Sequence, residues 1–351
     1  MLLYMHIPFC DSKCHYCSFN SYVDKFHLKQ RYMRALHIQL QEDLQRFQVM
    51  PHSITSLFIG GGTPSTITPE LYEPLFKTLH PYLCTDAEMT VEVNPNSATH
   101  SWLQGMHHLG INRMSFGVQS FHNEKLRHLG RSHNRDDAIG AITAASELGV
   151  EHISLDLIYA TAFDTPTLIN EDLKQAFALP IDHLSAYALT IEEGTVFQHQ
   201  PDVAIEHLEQ TRALFATIEQ YGFTQYEISN FGTYTSRHNL GYWQHRPYLG
   251  IGAGAVGSIN HQRYYPHRDI EAYLEAPCFT TLETLHSSDI KREQLFLGLR
   301  SIVGIANHLL KATEQQRARV LVDDKKLTFK QGVFYNNDYL LSDEIALFIE
   351  D

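Results

Sequence analysis

The sequence predicts an α/β fold: an open, partial (β/α)6 barrel with additional strands and a small C-terminal α+β domain. Short apolar, β-branched runs alternate with helix-like stretches through residue 189, the rhythm of a parallel sheet with right-handed crossovers. The residues of strongest chemical character fall at the ends of those runs, where such barrels gather their chemistry. Beyond about residue 286 the pattern changes to one helix followed by short strand-like pieces.

The first strand is read in LLYMHI (2–7), followed by SLFIGG (56–61), MTVEVN (89–94), RMSFGV (113–118), HISLDLI (152–158) and HLSAYAL (183–189), each a short apolar run of strand length. Helices are expected over 25–47, where Phe26, Tyr32, Leu36, Leu40 and Leu44 recur at helical spacing, and over 69–79, 99–108, 122–128, 134–148 and 166–178. Six units are too few to close an eight-unit barrel. A long amphipathic helix is read over 204–221, then the segments YEISNF (226–231) and SRHNLGYW (236–243). The tail offers IKREQLFLGLRSIVGI as a helix, KLTF, VFYN and DYLLS as strand-like pieces, and a terminal helix. The expected division is therefore a barrel over 1–203, an extension over 204–285 and a small C-terminal domain over 286–351.

Charge narrows the function classes. Lys and Arg total 27 against 40 Asp and Glu, a formal charge of -13, and no basic run could track a phosphate backbone, so nucleic acid is not an expected partner. The 22 histidines are scattered, and only those inside a motif invite a functional reading. No signal-peptide pattern and no apolar run of membrane-spanning length occurs, so the expected location is cytoplasmic.

Five cysteines are present, and Cys10, Cys14 and Cys17 lie close together as CxxxCxxC. An odd count with one cluster argues for metal-binding thiolates in a reducing compartment rather than for disulfides. Three thiolates on one loop suit three irons of a 4Fe-4S cubane whose fourth iron stays open to a small molecule. A zinc site completed by His6 or His15, and a redox pair, are the alternatives. Cys84 and Cys278 show no ligand-like spacing. Gly60, Gly61 and Gly62 in GGGTPS would let a ligand approach the backbone closely. Glu92, an acid at a strand end, could accept hydrogen bonds from a ribose or an ammonium, or pair with Arg113.

YMHIPFCDSKCHYCSF together with GGGTPS resembles the radical S-adenosylmethionine (SAM) family over residues 1 to about 200. The resemblance implies a 4Fe-4S cluster on Cys10, Cys14 and Cys17, with SAM chelating the open iron and undergoing reductive cleavage to methionine and a 5'-deoxyadenosyl radical. Further stretches resemble the branch related to oxygen-independent coproporphyrinogen III dehydrogenase. By that likeness Tyr4, Gln119, Arg131, Asp156 and Ala188 correspond to nucleoside-binding positions, and Tyr16, Thr63 and Glu92 join Gly60, Gly61 and Gly62 in the cofactor-binding set.

Three features depart from the dehydrogenase. Phe19 stands where its motif continues with a fourth cysteine, only nine residues precede Cys10, and HNLGYW matches the HNxxYW pattern of the heme chaperones of this branch. The resemblance thus implies heme as cargo, His238, Asn239, Tyr242 and Trp243 as heme candidates, and respiratory heme-acceptor proteins as partners. It also implies an electron donor such as a flavodoxin or ferredoxin, and it leaves room for transient membrane association through the acceptor and for a homodimer. From residue types alone, the same aromatic residues could fill a packed strand or turn. YLGIGAGAVGSI (248–259) resembles a segment that often reads GAGAH, with Val256 at the histidine's place. The alternative function is coproporphyrinogen dehydrogenation itself.

Overall fold

A computed structural model describes residues 1–350. All six expected strands form: β1 (Leu2–Ile7), β2 (Ile54–Gly61), β3 (Leu83–Val93), β4 (Arg113–Gln119), β5 (His152–Tyr159) and β6 (His183–Ala188). The helices between them are α1 (Lys29–Arg46), α2 (Pro69–Leu79), α3 (His100–His108), α4 (Asn123–His128), α5 (Arg135–Glu147) and α6 (Pro166–Phe177). Helices cover the outer face, so the central strands are buried on both sides and read as nearly continuous apolar runs. β3 begins six residues before MTVEVN, because LCTDAE is partly polar and pairs with β2 through an irregular register between Ile54 and Ser56.

The sheet runs on past the six-strand barrel at both edges. At one edge β6 pairs antiparallel with β8 (Asn230–Gly232), which pairs with β7 (Thr224–Glu227); YEISNF is thus the turn of a hairpin. At the other, β9 (Tyr248–Ile251) pairs parallel with β1, and β10 (Gly257–Ile259), β11 (Gln262–Pro266) and β12 (Thr280–Thr284) follow antiparallel. Twelve strands form one sheet. The helix expected over 204–221 starts only at Leu208 and forms α7 (Leu208–Gln220), while HNLGYW lies in a short helix, α8 (Arg237–Trp243), and α9 (Ile270–Glu275) follows.

One hydrophobic cluster extends from Leu3 to Leu274, and a second joins Leu295 to Ile349. The second cluster is built by α10 (Ser287–Leu299), α11 (Ala312–Asp323) and α12 (Ser342–Glu350) around a small sheet of β13 (Ile305–Ala306), β14 (Leu327–Lys330) and β15 (Val333–Asn336). KLTF and VFYN pair as a tight hairpin whose two turn residues, Gln331 (φ 52°) and Gly332 (φ 82°), both adopt positive φ, as a two-residue turn matched to strand twist requires. DYLLS is not a strand. The Asp338 carboxylate accepts the Leu340 N–H and folds Tyr339–Leu341 into a 3-10 turn.

Candidate functional site

The cysteine loop leaves β1 and is pinned by its own backbone. Cys10 N–H donates to Tyr22 O (3.1 Å), Tyr22 N–H to Pro8 O (2.8 Å) and Cys17 N–H to Cys14 O (3.2 Å). His15 ties the loop to α4: its N–H donates to Leu129 O, and its ring Nδ1 lies 2.8 Å from His128 O. Thr63 Oγ1 donates to Cys10 Sγ (3.4 Å) and Arg131 Nη1 to Cys14 Sγ (3.3 Å). Burial pushes the Cys10 and Cys17 thiols up, so a cation must arrive for both to act as thiolates.

No three His, Cys, Asp or Glu side chains among the described residues converge tightly enough to share one metal ion. A cubane places each thiolate on a separate iron and needs no such convergence. His6 is committed elsewhere, with Nδ1 at Tyr4 OH and Nε2 at Asn20 O, both 2.9 Å. The donor set also leaves room for its ligand. A Cβ on Gly62 would stand 2.8 Å from Phe9 O and 3.0 Å from Cys10 Sγ, so only glycine permits this approach to the sulfur. The residues present fit a cluster with an open iron.

The three cysteines line a cavity of about 460 Å³ at the C-terminal ends of the strands. Gly61, Gly62 and Thr63 enter it from β2, Glu92 from β3, and Gln119 from β4. Asp156 and Ala188 come from β5 and β6, and Tyr16 and Arg131 close the side next to Cys14. Gln119 adopts φ 68° after a register shift between Phe116 and Gln119; the bulge re-aims its side chain, a strain that clusters at functional sites. Arg131 is fixed by Asn94 Oδ1 (2.6 Å) and Gly117 O (2.7 Å). Gly60 does not line the cavity but lies beneath Glu92, where a Cβ would come 2.9 Å from Oε2. Tyr4 faces a neighbouring cavity.

Glu92 accepts the Gly61 N–H at 3.0 Å. Burial and then the nearby Asp156 raise its carboxyl to about 7, against the pull of Gly61 and Arg113. Burial likewise raises Asp156 to about 6, opposed by Ser185, Arg113 and Arg131. Arg113, itself buried, donates to Thr90 Oγ1 rather than forming a close ion pair with Glu92. Between pH 4.5 and about 7 the folded chain holds a proton at Glu92 that the unfolded chain has lost. Stability therefore falls as pH rises through that window. Glu92→Gln is expected to flatten the decline and to stabilise the ligand-free chain above pH 7 by about 2 to 3 kcal/mol at most. Denaturant unfolding from pH 5 to 8 tests this, and parallel curves for the two proteins would refute it.

The second cavity, of about 950 Å³, adjoins the first: Phe19, Glu92, Ser115, Asp156 and Tyr187 line both. Its far wall comes from α8 and the strands after it, with Asn239, Tyr242, Tyr248 and Val256, and Arg246, Arg263 and Arg268 add positive charge. α8 is anchored on β3, where buried Glu88 accepts the N–H groups of Arg237 (2.8 Å) and His238 (2.9 Å) and the Tyr234 hydroxyl (2.8 Å). Sequence reading found none of these arginines, since only the folding of β9–β12 against β1 brings them to the cavity.

His238 also lines this wall but is fully buried, with Nδ1 at Ser56 Oγ (2.8 Å) and Nε2 at Tyr242 OH (3.0 Å). Burial and then Arg113 push it down to about 3, so the ring is neutral. Trp243 is outside the cavity lining and packs on Tyr226, ring centroids 5.7 Å apart. HNLGYW is thus neither strand nor turn but a helix presenting Asn239 and Tyr242.

A three-cysteine loop after the first strand of an open six-unit parallel barrel, facing a polar cavity at the strand ends, defines a radical SAM protein. The family model for the Radical SAM superfamily matches residues 4–173. The chain belongs to that superfamily and, within it, to the family of the HemW heme chaperones. It is 32% identical over 321 residues to the heme chaperone HemW of Bacillus subtilis, covering 86% of this chain and 84% of that protein. It is 38% identical over 269 residues to HemW of Escherichia coli, covering 73% and 70%. It is also 33% identical to the mitochondrial radical S-adenosyl methionine domain-containing protein 1 of Danio rerio, over 87% of this chain and 74% of that one. Among solved structures, the coproporphyrinogen III oxidase HemN of Escherichia coli superposes with a TM-score of 0.82 over 99% of this chain and 89% of that one, at 20% identity; it shares the fold. Membership of the superfamily implies a 4Fe-4S cluster and SAM. No helix among the described residues is long and apolar enough to cross a membrane.

Proposed function

We propose that this chain is a heme chaperone: it binds heme in the larger cavity and delivers it to a respiratory acceptor protein, with the cluster and SAM in the adjoining cavity supporting that delivery. The observation that carries the reading is the pair of cavities joined through Phe19, Glu92 and Asp156, in a chain whose curated relatives are named heme chaperones. The larger cavity is within the range of organic-ligand sites, and its walls combine aromatic faces with arginines suited to carboxylates.

Cys10, Cys14 and Cys17 would hold the cluster, and Gly61, Gly62 and Thr63 would receive the methionyl end of SAM, with Gly60 leaving room beneath for the Glu92 carboxylate. Glu92 would meet its ammonium or ribose, and binding there would release the proton that Glu92 holds near neutral pH. Tyr16, Gln119, Arg131, Asp156 and Ala188 would complete the nucleoside site, while Tyr4 faces the larger cavity and would act there or through His6. When bound, the cluster and SAM supply one-electron reduction of the sulfonium. Toward heme, Asn239 and Tyr242 offer the direct contacts, His238 orients the Tyr242 hydroxyl, and Trp243 props α8 against Tyr226.

Incubating the reconstituted chain anaerobically with SAM, reductant and coproporphyrinogen III is expected to yield no decarboxylated porphyrin, while the same preparation binds hemin saturably. Protoporphyrinogen formed over many turnovers would replace this reading with the dehydrogenase.

A further inference from the structure

Three histidines line the larger cavity: His6, His238 and His245. An axial ligand to heme iron must bring an imidazole nitrogen with a free lone pair. His6 spends both ring nitrogens, on Tyr4 OH and Asn20 O, and His238 spends both on Ser56 and Tyr242. His245 differs, because only Nε2 is engaged, 2.9 Å from Glu293 Oε2. A carboxylate only accepts hydrogen bonds, so in the neutral ring Nε2 carries the proton and Nδ1 keeps its lone pair. Nδ1 is not among the sealed, unpartnered polar atoms.

The backbone holds His245 in a demanding conformation. It follows the C-terminal end of α8 with φ 55°, closing the helix through His245 N–H to Tyr242 O and Arg246 N–H to Gly241 O, both 2.9 Å. Helices usually place glycine or asparagine there. Val256, elsewhere on the cavity lining, brings no imidazole to the cavity that His245 enters.

We infer that His245, rather than His238, is the axial ligand this chain offers to heme iron, through Nδ1, with Glu293 of α10 fixing its tautomer. Glu293 is held in turn by Arg263 Nη2, so the C-terminal segment orients a ligand in the barrel extension. A carboxylate behind a ligating imidazole fixes the ring and raises its basicity. This inference rests on the heme reading above.

The test is a hemin titration of the full-length chain, followed by visible absorption and electron paramagnetic resonance, with His245→Gly, His238→Ala and Glu293→Gln alongside. Glycine suits the positive φ at position 245, so that variant removes the imidazole without straining the turn. His245→Gly is expected to lose the histidine-ligated spectrum and to regain it with added free imidazole. Glu293→Gln is expected to keep the spectrum type with hemin affinity lowered about 10-fold, and His238→Ala to keep imidazole ligation. A His245→Gly protein with unaltered spectrum and affinity overturns the assignment and leaves the heme reading standing. Absence of saturable hemin binding by the unaltered chain overturns both.

Discussion

Cys14→Ala is expected to yield a folded chain that retains no cubane after anaerobic reconstitution, its iron and sulfide content falling to the background of the triple cysteine variant. The loop does not depend on the thiol for its shape, because its backbone bonds run from Cys10 to Tyr22 and from His15 to Leu129. Arg131, which donates to Cys14 Sγ, keeps its bonds to Asn94 and Gly117. The stability cost to the metal-free chain should therefore be on the order of 1 kcal/mol or less, whereas the loss of metal is complete. Cys84→Ala and Cys278→Ala remove thiols with no partner cysteines nearby in sequence and should leave iron content unchanged. Full iron retention in Cys14→Ala would show that the cluster is held by another set of ligands.

The parts of the site that sequence made legible are those whose signal is local. Cys10, Cys14 and Cys17 advertise themselves by spacing, Gly61, Glu92 and Gln119 by lying at strand ends of a barrel whose alternation is strong, and Asp156 as an acid within the apolar fifth strand; all of them line the smaller cavity. The parts that were not legible depend on pairing over long distances. His238 reads as a heme candidate within HNLGYW, yet it is hydrogen-bonded to Ser56, 182 residues away, and no local pattern encodes that. His245 stands two residues past the motif and gains its character from Glu293 and from the cavity wall. β9–β12 were missed for a related reason: short strands with glycines and polar residues resemble loops until β1 offers them an edge. DYLLS failed in the opposite sense, since its apolar residues suggested a strand but Asp338 captures the chain in a turn.

Gly61→Ala is expected to be the most damaging single-methyl addition in the cofactor cavity, lowering stability by about 2 to 5 kcal/mol. Two costs add there. Gly61 has φ 113°, a conformation L-residues rarely adopt, and its new Cβ would come within 2.5 Å of the His6 ring. His6 cannot swing aside cheaply, because its nitrogens join Tyr4 to Asn20, and Asn20 Nδ2 donates to Ala253 O (3.0 Å) and Arg268 O (2.8 Å). Any displacement therefore passes into the cysteine loop and the extension strands together. The Gly61 N–H that holds Glu92 Oε2 would be displaced as well, so SAM binding by the folded remainder should fall further than stability alone explains. Gly194→Ala separates the two costs. Gly194 also has positive φ, 78°, but its Cβ would meet nothing within 4 Å, so it should lose only the backbone term of about 1 kcal/mol. Equal unfolding free energies for the two variants would mean that His6 yields freely and that the wall between the two cavities is soft; a larger loss at Gly61 would mean that His6 and Asn20 hold both cavities in one rigid frame.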